Sequence, residues 1–404
     1  MDDKYFREDQ WSISPYNFEE SVLKRLELPS NVKIHDATLR DGEQTPGVVF
    51  RKEDKVRIAR LLDEVGVDRI EAGMPAVSGE DFQAMKEITA SGLKAEIFSF
   101  ARALTGDIDK AVECGCTGVV IEIPIGYPKL VHQFGWTWED VLRKSVNCIK
   151  YARKKGLYVV YFPYDTTRAR YSDLTDLFDG IMNESPPDSV GIVDTMGCAI
   201  PEAIQYLVRL AKDRTGLPIE VHTHNDFGMG VACELAGVTA GAEVVHSCVN
   251  GLGERTGNAA LEELILGLQI LLGMNTRYQL HKLLPLSKAV EEISGVKIAS
   301  NKPVIGERNY TRESGIGIEL VLQKPLAMFA VAPSVTGRSG EIVLGKKSGK
   351  ASVEYMLKEL KWEKRLDDEA LNEILRRVKE KGTEKRGLLT EEEFTAIVSD
   401  YSQS

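Results

Sequence analysis

Between residues 32 and 273 the chain alternates short β-branched apolar runs with longer segments whose apolar residues recur every three to four positions. A short apolar run bounded by turn residues is typical of a buried strand, and the longer period indicates an amphipathic helix. The pattern predicts eight strands, at 32–39, 67–73, 93–100, 117–124, 157–163, 188–195, 217–224 and 242–249. Clear helical segments between them include 52–66, 138–156 and 201–216, each of which ends in a glycine.

Strands that alternate with helices predict parallel βαβ units and therefore an α/β fold. Eight is the number of strands that closes a (β/α)8 TIM barrel, whose active site lies at the carboxyl ends of the strands. A doubly wound open sheet is the alternative. We expect residues 1–31 to form an N-terminal arm and residues 32–280 the barrel. Residues 281–404 are expected to form a small, mainly helical C-terminal lid or subdomain.

Composition narrows the class of protein. Apolar residues make up 43% of the chain and charged residues 28%, as in ordered globular proteins. The net charge of −10 argues against nucleic acid or an anionic membrane as a partner. Six cysteines in a chain of this length do not form a disulfide framework. Without an apolar signal segment or membrane span, the expected location is the cytoplasm.

Candidate chemistry is concentrated after three of the predicted strands. The first strand leads into Arg40 and Asp41, the seventh carries His222 and His224, and the eighth leads into a glycine-rich loop ending at Asn258. Side chains at positions i and i+2 of a strand face the same way, so the two histidines can converge. In a closed barrel the seventh, eighth and first strands are neighbours, which brings all four proposed ligands to one rim.

Two imidazoles, a carboxylate and an amide oxygen form a mixed set that suits a divalent ion such as Mg²⁺, Mn²⁺ or Zn²⁺. An open coordination position would let that ion polarise a carbonyl group as a Lewis acid. Arg40 next to it can stabilise a developing oxyanion or enolate. The glycine loop follows the last strand instead of the first, so it does not match a dinucleotide fingerprint.

These segments resemble the 2-isopropylmalate synthase/homocitrate synthase family of the DRE-TIM metallolyase superfamily. The resemblance extends over nearly the whole chain, through HDATLRDGEQTPG, IEAGMPA, VHTHNDFGMGVA and GLGERTGNAALEE in the barrel and NKPVIGERNYTRESGIG and IVLGKKSG after it. It implies a metal-dependent transferase of amino-acid biosynthesis that condenses an acyl-CoA, most simply acetyl-CoA, with a 2-oxo acid. It also implies a homodimer.

The resemblance assigns roles to individual residues. The metal ligands would be Asp41, His222, His224 and Asn258. Arg40 would stabilise the enolate, Thr195 would bind the carboxylate of the 2-oxo acid, and Glu71 would line the same pocket. Arg168, and His132 in the segment 124–132 after the fourth strand, are further candidates for substrate contact.

The chain also departs from the family pattern. Tyr164 stands before Asp165 where the family usually has a glutamate, and Arg312, Gly317 and Lys347 stand where it usually has histidines. The residues that the resemblance assigns to the metal and the 2-oxo acid are therefore all present, whereas the residues that would remove a proton from the acyl donor are altered. Tyr164, Asp165 and Glu122 are the candidates for that proton transfer. We assign His35, His246 and His281 to structure.

Three functions are compatible with these residues. The first is a divergent synthase. The second is a metal-dependent carbon–carbon lyase or aldolase acting on a hydroxy acid, although relatives with a catalytic cysteine in the last glycine loop are disfavoured because that loop reads GERTG. The third is a catalytically inactive relative that binds a metabolite. The length after the barrel leaves no room for an additional regulatory domain, so feedback inhibition through one is not expected.

Overall fold

The computed structural model describes residues 4–364 and 366–403, which form two compact units. The larger unit runs from Pro15 to Ile298, and the smaller one combines the residues up to Ser14 with those from Ala299 onward. Within the described part of the chain, no helix has the length and apolar character needed to cross a membrane.

Eight parallel strands close into a barrel in the larger unit. They are β1 (Lys33–Asp36), β2 (Arg69–Glu71), β3 (Glu96–Arg102), β4 (Gly118–Pro124), β5 (Tyr158–Tyr164), β6 (Ser189–Asp194), β7 (Ile219–Thr223) and β8 (Val244–Ser247). Closure comes from β8, which pairs with β7 on one side and with β1 on the other. The eight predicted strands and the TIM barrel are confirmed, and the open-sheet alternative is wrong.

A helix follows each strand. These helices are α1 (Lys52–Val65), α2 (Gly79–Ala90), α3 (Thr105–Glu113), α4 (Trp138–Lys154), α5 (Tyr171–Glu184), α6 (Pro201–Thr215), α7 (Gly230–Thr239) and α8 (Leu261–Leu266), with α9 (Leu283–Ser294) after them. Short helices also occur at Glu20–Leu23 and Tyr127–Lys129. Gly66 and Gly216 end α1 and α6 in the left-handed conformation, with φ of +95° and +64°, as their positions in the sequence predict.

Aromatic side chains fill the barrel interior next to glycines on neighbouring strands. A Cβ atom at Gly118 would lie 2.3 Å from the Phe98 ring, and one at Gly191 would lie 2.5 Å from the Phe162 ring. The two glycines therefore create the space that the two rings occupy. The Phe162 ring also packs edge-on against the His222 ring, with the ring centroids 5.3 Å apart.

The smaller unit is mainly helical after its short strands. It contains the antiparallel pair Phe6–Arg7 and Trp11–Ser12, the parallel pair Thr311–Arg312 and Glu341–Ile342, and the helices α10 (Ile318–Gln323), α11 (Lys350–Glu359), α12 (Asp368–Lys385) and α13 (Glu391–Gln403). The last three pack around a core that includes Val353, Ile374, Val378 and Phe394. The mainly helical character predicted for the region after the barrel is confirmed.

Candidate active site

The proposed metal ligands lie around one carboxylate at the carboxyl rim of the barrel. The turn after β1 carries Asp41, and His222 and His224 lie at the end of β7. The Oδ2 atom of Asp41 is 3.3 Å from Nε2 of His222 and 3.8 Å from Nε2 of His224. Ligands bound about 2.1 Å from one cation lie about 3 Å apart when they are adjacent, so this spacing suits a shared divalent ion.

Asn258 offers a fourth ligand atom, its side-chain amide oxygen, beside these groups. An antiparallel bridge joins its backbone to His224, and its Nδ2 atom donates to the carbonyl of Leu252 at 3.2 Å. Its Oδ1 atom is buried, and none of the described residues supplies a hydrogen-bond partner for it. A buried oxygen left without a partner is unfavourable unless a ligand or an ion satisfies it. The side-chain oxygen of Asn258 therefore fits the role of a cation ligand.

The glycine loop holds Asn258 in this orientation. At Gly253, φ is +143° and an added Cβ would lie 2.2 Å from Nδ2 of Asn258. Gly253→Ala is expected to lower the free energy of unfolding by about 2–3 kcal/mol and to weaken binding of Mn²⁺. Gly47→Ala is the control, because Gly47 has a φ of +89° and nothing within 4 Å of the added Cβ. Urea denaturation measures the free energy of unfolding. If both variants lose the same free energy and bind Mn²⁺ with the same affinity, this role of Gly253 is contradicted.

Arg40 is anchored at two of its nitrogens and free at the third. Its Nε donates to Glu71 and its Nη1 donates to Asp41 at 3.0 Å, while the ring of Phe100 lies 4.1 Å beneath the guanidinium carbon. Nη2 is buried and has no partner among the described residues. The guanidinium is therefore oriented in advance, with one N–H group available to an oxygen of a bound molecule.

Burial and charge keep these groups in the forms that bind a cation. Burial opposes ionisation of Asp41, but the positive charge of Arg40 outweighs it and holds the pKa of Asp41 well below the usual range. Burial lowers the pKa of His224 to about 4 and also lowers the pKa of His222. An ionised carboxylate and two neutral imidazoles are the protonation states that metal coordination requires.

Thr195 and Asp165 lie together after β6 and β5. The hydroxyl of Thr195 accepts a 2.7 Å hydrogen bond from the backbone N–H of Asp165, which leaves its own hydrogen for a ligand oxygen. Asp165 has a left-handed backbone, with φ of +62°, and its carboxylate accepts two 2.8 Å hydrogen bonds from Arg168. Asp165 and Arg168 therefore already have each other as charged partners within the protein.

Glu122 and Tyr164 lie on the interior side of the barrel wall. On β4, Glu122 is two positions after Val120, which packs in the interior, and the two therefore share a face. Burial raises the pKa of Glu122 to about 7, with Asp41 and Glu71 adding to the rise and Arg40 opposing it. Burial raises the pKa of Tyr164 well above its usual value. His132, by contrast, is exposed in the turn Leu130–Phe134.

Two histidines assigned to structure from the sequence, His246 and His35, border this cluster together with Glu220. His246 contacts His222, and Glu220 contacts His246. His35 stacks on His246 with ring centroids 4.3 Å apart. The sequence did contain a signal for the stacked pair. His246 and His35 each lie two residues after the start of their strands, β8 and β1, and these strands pair in the barrel.

Comparison with known protein families decides the family. Residues 31–290 match the model of the HMGL-like family, and residues 304–386 match the homocitrate synthase post-HMGL domain-like family. The chain belongs to the HMGL-like family.

Curated relatives of this HMGL-like chain are synthases. Homocitrate synthase AksA of Methanopyrus kandleri is 40% identical over 97% of both chains. The putative (R)-citramalate synthase CimA of Archaeoglobus fulgidus is 41% identical over 92% of this chain and 76% of its own. The 2-isopropylmalate synthase of Methanocaldococcus jannaschii is 38% identical over 94% of this chain and 73% of its own. The HMGL-like chain is therefore an enzyme of the same kind, and the family expected from its motifs is confirmed.

Solved structures confirm the barrel of the HMGL-like chain. The HMG-CoA lyase of Bacillus subtilis aligns with a TM-score of 0.61 at 19% identity, covering 68% of this chain and 97% of its own. The hydroxymethylglutaryl-CoA lyase of Pseudomonas aeruginosa gives 0.59 at 20% identity over the same shares. At this level of identity the similarity establishes the fold alone.

Proposed function

We propose that this chain condenses an acyl-CoA, most simply acetyl-CoA, with a 2-oxo acid in a Claisen-type reaction that depends on a divalent metal. The observation that carries the proposal is a pair of buried polar atoms for which the described residues supply no partner, Nη2 of Arg40 and Oδ1 of Asn258. They accompany the cluster of Asp41, His222 and His224. An anchored guanidinium next to a cation site is suited to binding the adjacent carboxylate and keto oxygens of a 2-oxo acid. The names of the synthase relatives support the same reaction.

The metal would be held by Asp41, His222, His224 and Asn258. Carboxylate and amide oxygens are hard ligands and imidazole nitrogens are borderline ones, a combination that suits Mg²⁺, Mn²⁺ or Zn²⁺. The residues are buried, and the described residues leave the Asn258 oxygen without a partner, as expected for an ion-binding site. When bound, such an ion supplies Lewis-acid polarisation of the keto group. We also propose a cytoplasmic homodimer, as the family resemblance implies.

Arg40, Glu71 and Thr195 would orient the oxo acid. Glu71 fixes Arg40 through its Nε and is itself held by His35, whose Nε2 lies 3.1 Å away. The free Nη2 of Arg40 would donate to the keto oxygen, and the hydroxyl of Thr195 would donate to the carboxylate. Because these donors are already oriented, little reorganisation is required when negative charge develops.

Glu122 is the general base in this proposal. Asp165 is neutralised by Arg168, and the high pKa of Tyr164 leaves it protonated near neutral pH. Glu122 has a carboxyl pKa of about 7, close to the value at which a base is both available and strong enough.

Glu122 removes a proton from the carbon next to the thioester, and the resulting enolate carbon attacks the keto carbon of the oxo acid. Arg40 stabilises the alkoxide that forms, and return of the proton from Glu122 converts it to a hydroxyl group. Water then cleaves the thioester bond, which releases a carboxylate and the free thiol of CoA.

Thiol release tests this function. Acetyl-CoA is mixed with pyruvate, 2-oxoisovalerate or 2-oxoglutarate, from which the products in the relatives' names can be built, and Mg²⁺, Mn²⁺ or Zn²⁺ is added. We expect free thiol with at least one oxo acid, loss of turnover on complete chelation, and recovery when the ion is returned. Activity that persists without metal would contradict the metal assignment. Cleavage of a hydroxy acid with no thiol release would instead identify a lyase or aldolase.

A further inference from the structure

A line of buried side chains runs from His222 into the barrel interior, away from the rim. Nδ1 of His222 lies 3.3 Å from Nδ1 of His246, and Nε2 of His246 lies 2.9 Å from Oε2 of Glu220. All three side chains are at most 3% exposed. In the proposed reaction His246 and Glu220 neither bind substrate nor move a proton. Any effect they have on the reaction must therefore pass through His222.

The far end of this line has a fixed charge. Glu220 accepts hydrogen bonds from Nη1 of Arg69 at 2.8 Å and from the hydroxyl of Ser189 at 2.6 Å. An ionised carboxylate paired with a guanidinium can only accept hydrogen bonds. Nε2 of His246 must therefore carry the hydrogen in its contact with Glu220.

The direction of every following hydrogen bond is then determined. A neutral imidazole that donates from Nε2 accepts at Nδ1, so His246 accepts from His222. His222 therefore donates to His246 from Nδ1. Its Nε2 lies 3.3 Å from Oδ2 of Asp41, and a cation bound there would take the lone pair of Nε2 in place of a proton. With its hydrogen on Nδ1, His222 is in the tautomer that can bind a cation at that position.

We propose that Glu220 and His246 are positioning residues that hold His222 in its metal-binding tautomer. The inference rests on the proposed function, because it requires His222 to be a metal ligand. Outer partners of this kind fix the ring orientation of a ligand and make it more basic, and their loss commonly weakens metal affinity by about 10- to 100-fold.

The same residues do not form a second cation site. His35, Glu220 and His246 lie close enough to share an ion. However, Arg69 already neutralises Glu220, and Nε2 of His246 is directed at Glu220. The rings of His35 and His246 are stacked within 3° of parallel, which turns their edges away from a common point. A hydrogen-bonded core accounts for these contacts without an ion.

Two substitutions at one position separate tautomer control from packing. Asparagine places an oxygen near the position of Nδ1, and glutamine places its amide near Nε2. His246→Gln is therefore expected to keep the contact with Glu220 and to weaken Mn²⁺ binding by about 10- to 100-fold. His246→Asn keeps an acceptor for His222 and should retain most of the affinity. His35→Gln disturbs the same stacked pair and should leave the Mn²⁺ affinity unchanged.

Isothermal titration of Mn²⁺ into the metal-free full-length protein measures these affinities. Equal weakening in His246→Gln, His246→Asn and His35→Gln would mean that packing alone is responsible and would overturn the inference. An affinity of His246→Gln equal to that of the unsubstituted protein would overturn it as well. Failure of the unsubstituted protein to bind Mn²⁺, Mg²⁺ or Zn²⁺ would refute the metal assignment in the proposed function itself.

A second measurement needs no substitution. In the protein loaded with diamagnetic Zn²⁺ and labelled with ¹⁵N histidine, long-range proton–nitrogen correlation spectra distinguish the two tautomers of each ring. We expect the hydrogen on Nδ1 of His222 and on Nε2 of His246. The opposite tautomer at either ring would overturn the inference even if the His246 variants do not fold.

Discussion

Glu122→Gln is expected to lower kcat by roughly 10²- to 10⁴-fold, the usual loss when a general base is removed. Glutamine has nearly the same shape as glutamate but cannot take a proton from the carbon next to the thioester. Because Glu122 is not among the groups proposed to bind the oxo acid, the KM for that substrate should change little. Initial rates of thiol release at saturating acetyl-CoA measure both quantities.

The pH dependence of the unsubstituted enzyme tests the same assignment. Burial raises the pKa of Glu122 to about 7, and the base acts only when deprotonated. The value of kcat/KM should therefore rise with pH and level off above about 7, with a lower midpoint when a cation is bound near Asp41. This rise should disappear from the residual activity of Glu122→Gln.

Tyr164→Phe is the matched control, since it removes a hydroxyl from the neighbouring strand. Glu122 and Tyr164 are both on the interior face of the wall, and Pro124 of β4 pairs with Tyr164 of β5. We expect Tyr164→Phe to retain most of the turnover. A large loss in Tyr164→Phe together with a nearly active Glu122→Gln would make the tyrosine the proton-transfer group instead.

The barrel was predictable because its strands are buried on both faces. Val119, Val120 and Ile121 of β4 are all fully buried, so the strand appears in the sequence as a continuous apolar run. The meeting of His222 with Asp41 was also predictable, because it depends only on strand alternation and on the neighbours that barrel closure imposes.

Other contacts depend on backbone and register that the local sequence does not specify. Asp165 follows Tyr164 at the end of β5, where an acid or base would be expected. Its left-handed backbone instead allows its carboxylate to pair with Arg168. His246 likewise looked structural, because its contact with His222 appears only once β7 and β8 are aligned. Apolar periodicity carries no information about such polar pairings inside a barrel.

Arg40→Lys is expected to lower kcat by roughly 10²- to 10³-fold, although the positive charge is retained. The guanidinium contacts Glu71 through Nε and Asp41 through Nη1, while Nη2 has no partner in the described part of the chain and can donate to substrate. A lysine ammonium is a single point of charge and cannot keep this fixed fork geometry. Without an oriented donor, the oxyanion that develops on the keto oxygen would be less stabilised.

The division of the loss between kcat and KM distinguishes two roles for Arg40. A donor that acts mainly on the transition state lowers kcat and kcat/KM together, whereas a purely binding group raises KM with kcat unchanged. Arg102→Lys is the control, because Arg102 is 56% exposed and pairs with Asp107, and its turnover should be unaffected. A rise in KM alone for Arg40→Lys would make Arg40 a substrate-binding residue, and the stabilisation of the alkoxide would then have to come from other groups at the rim.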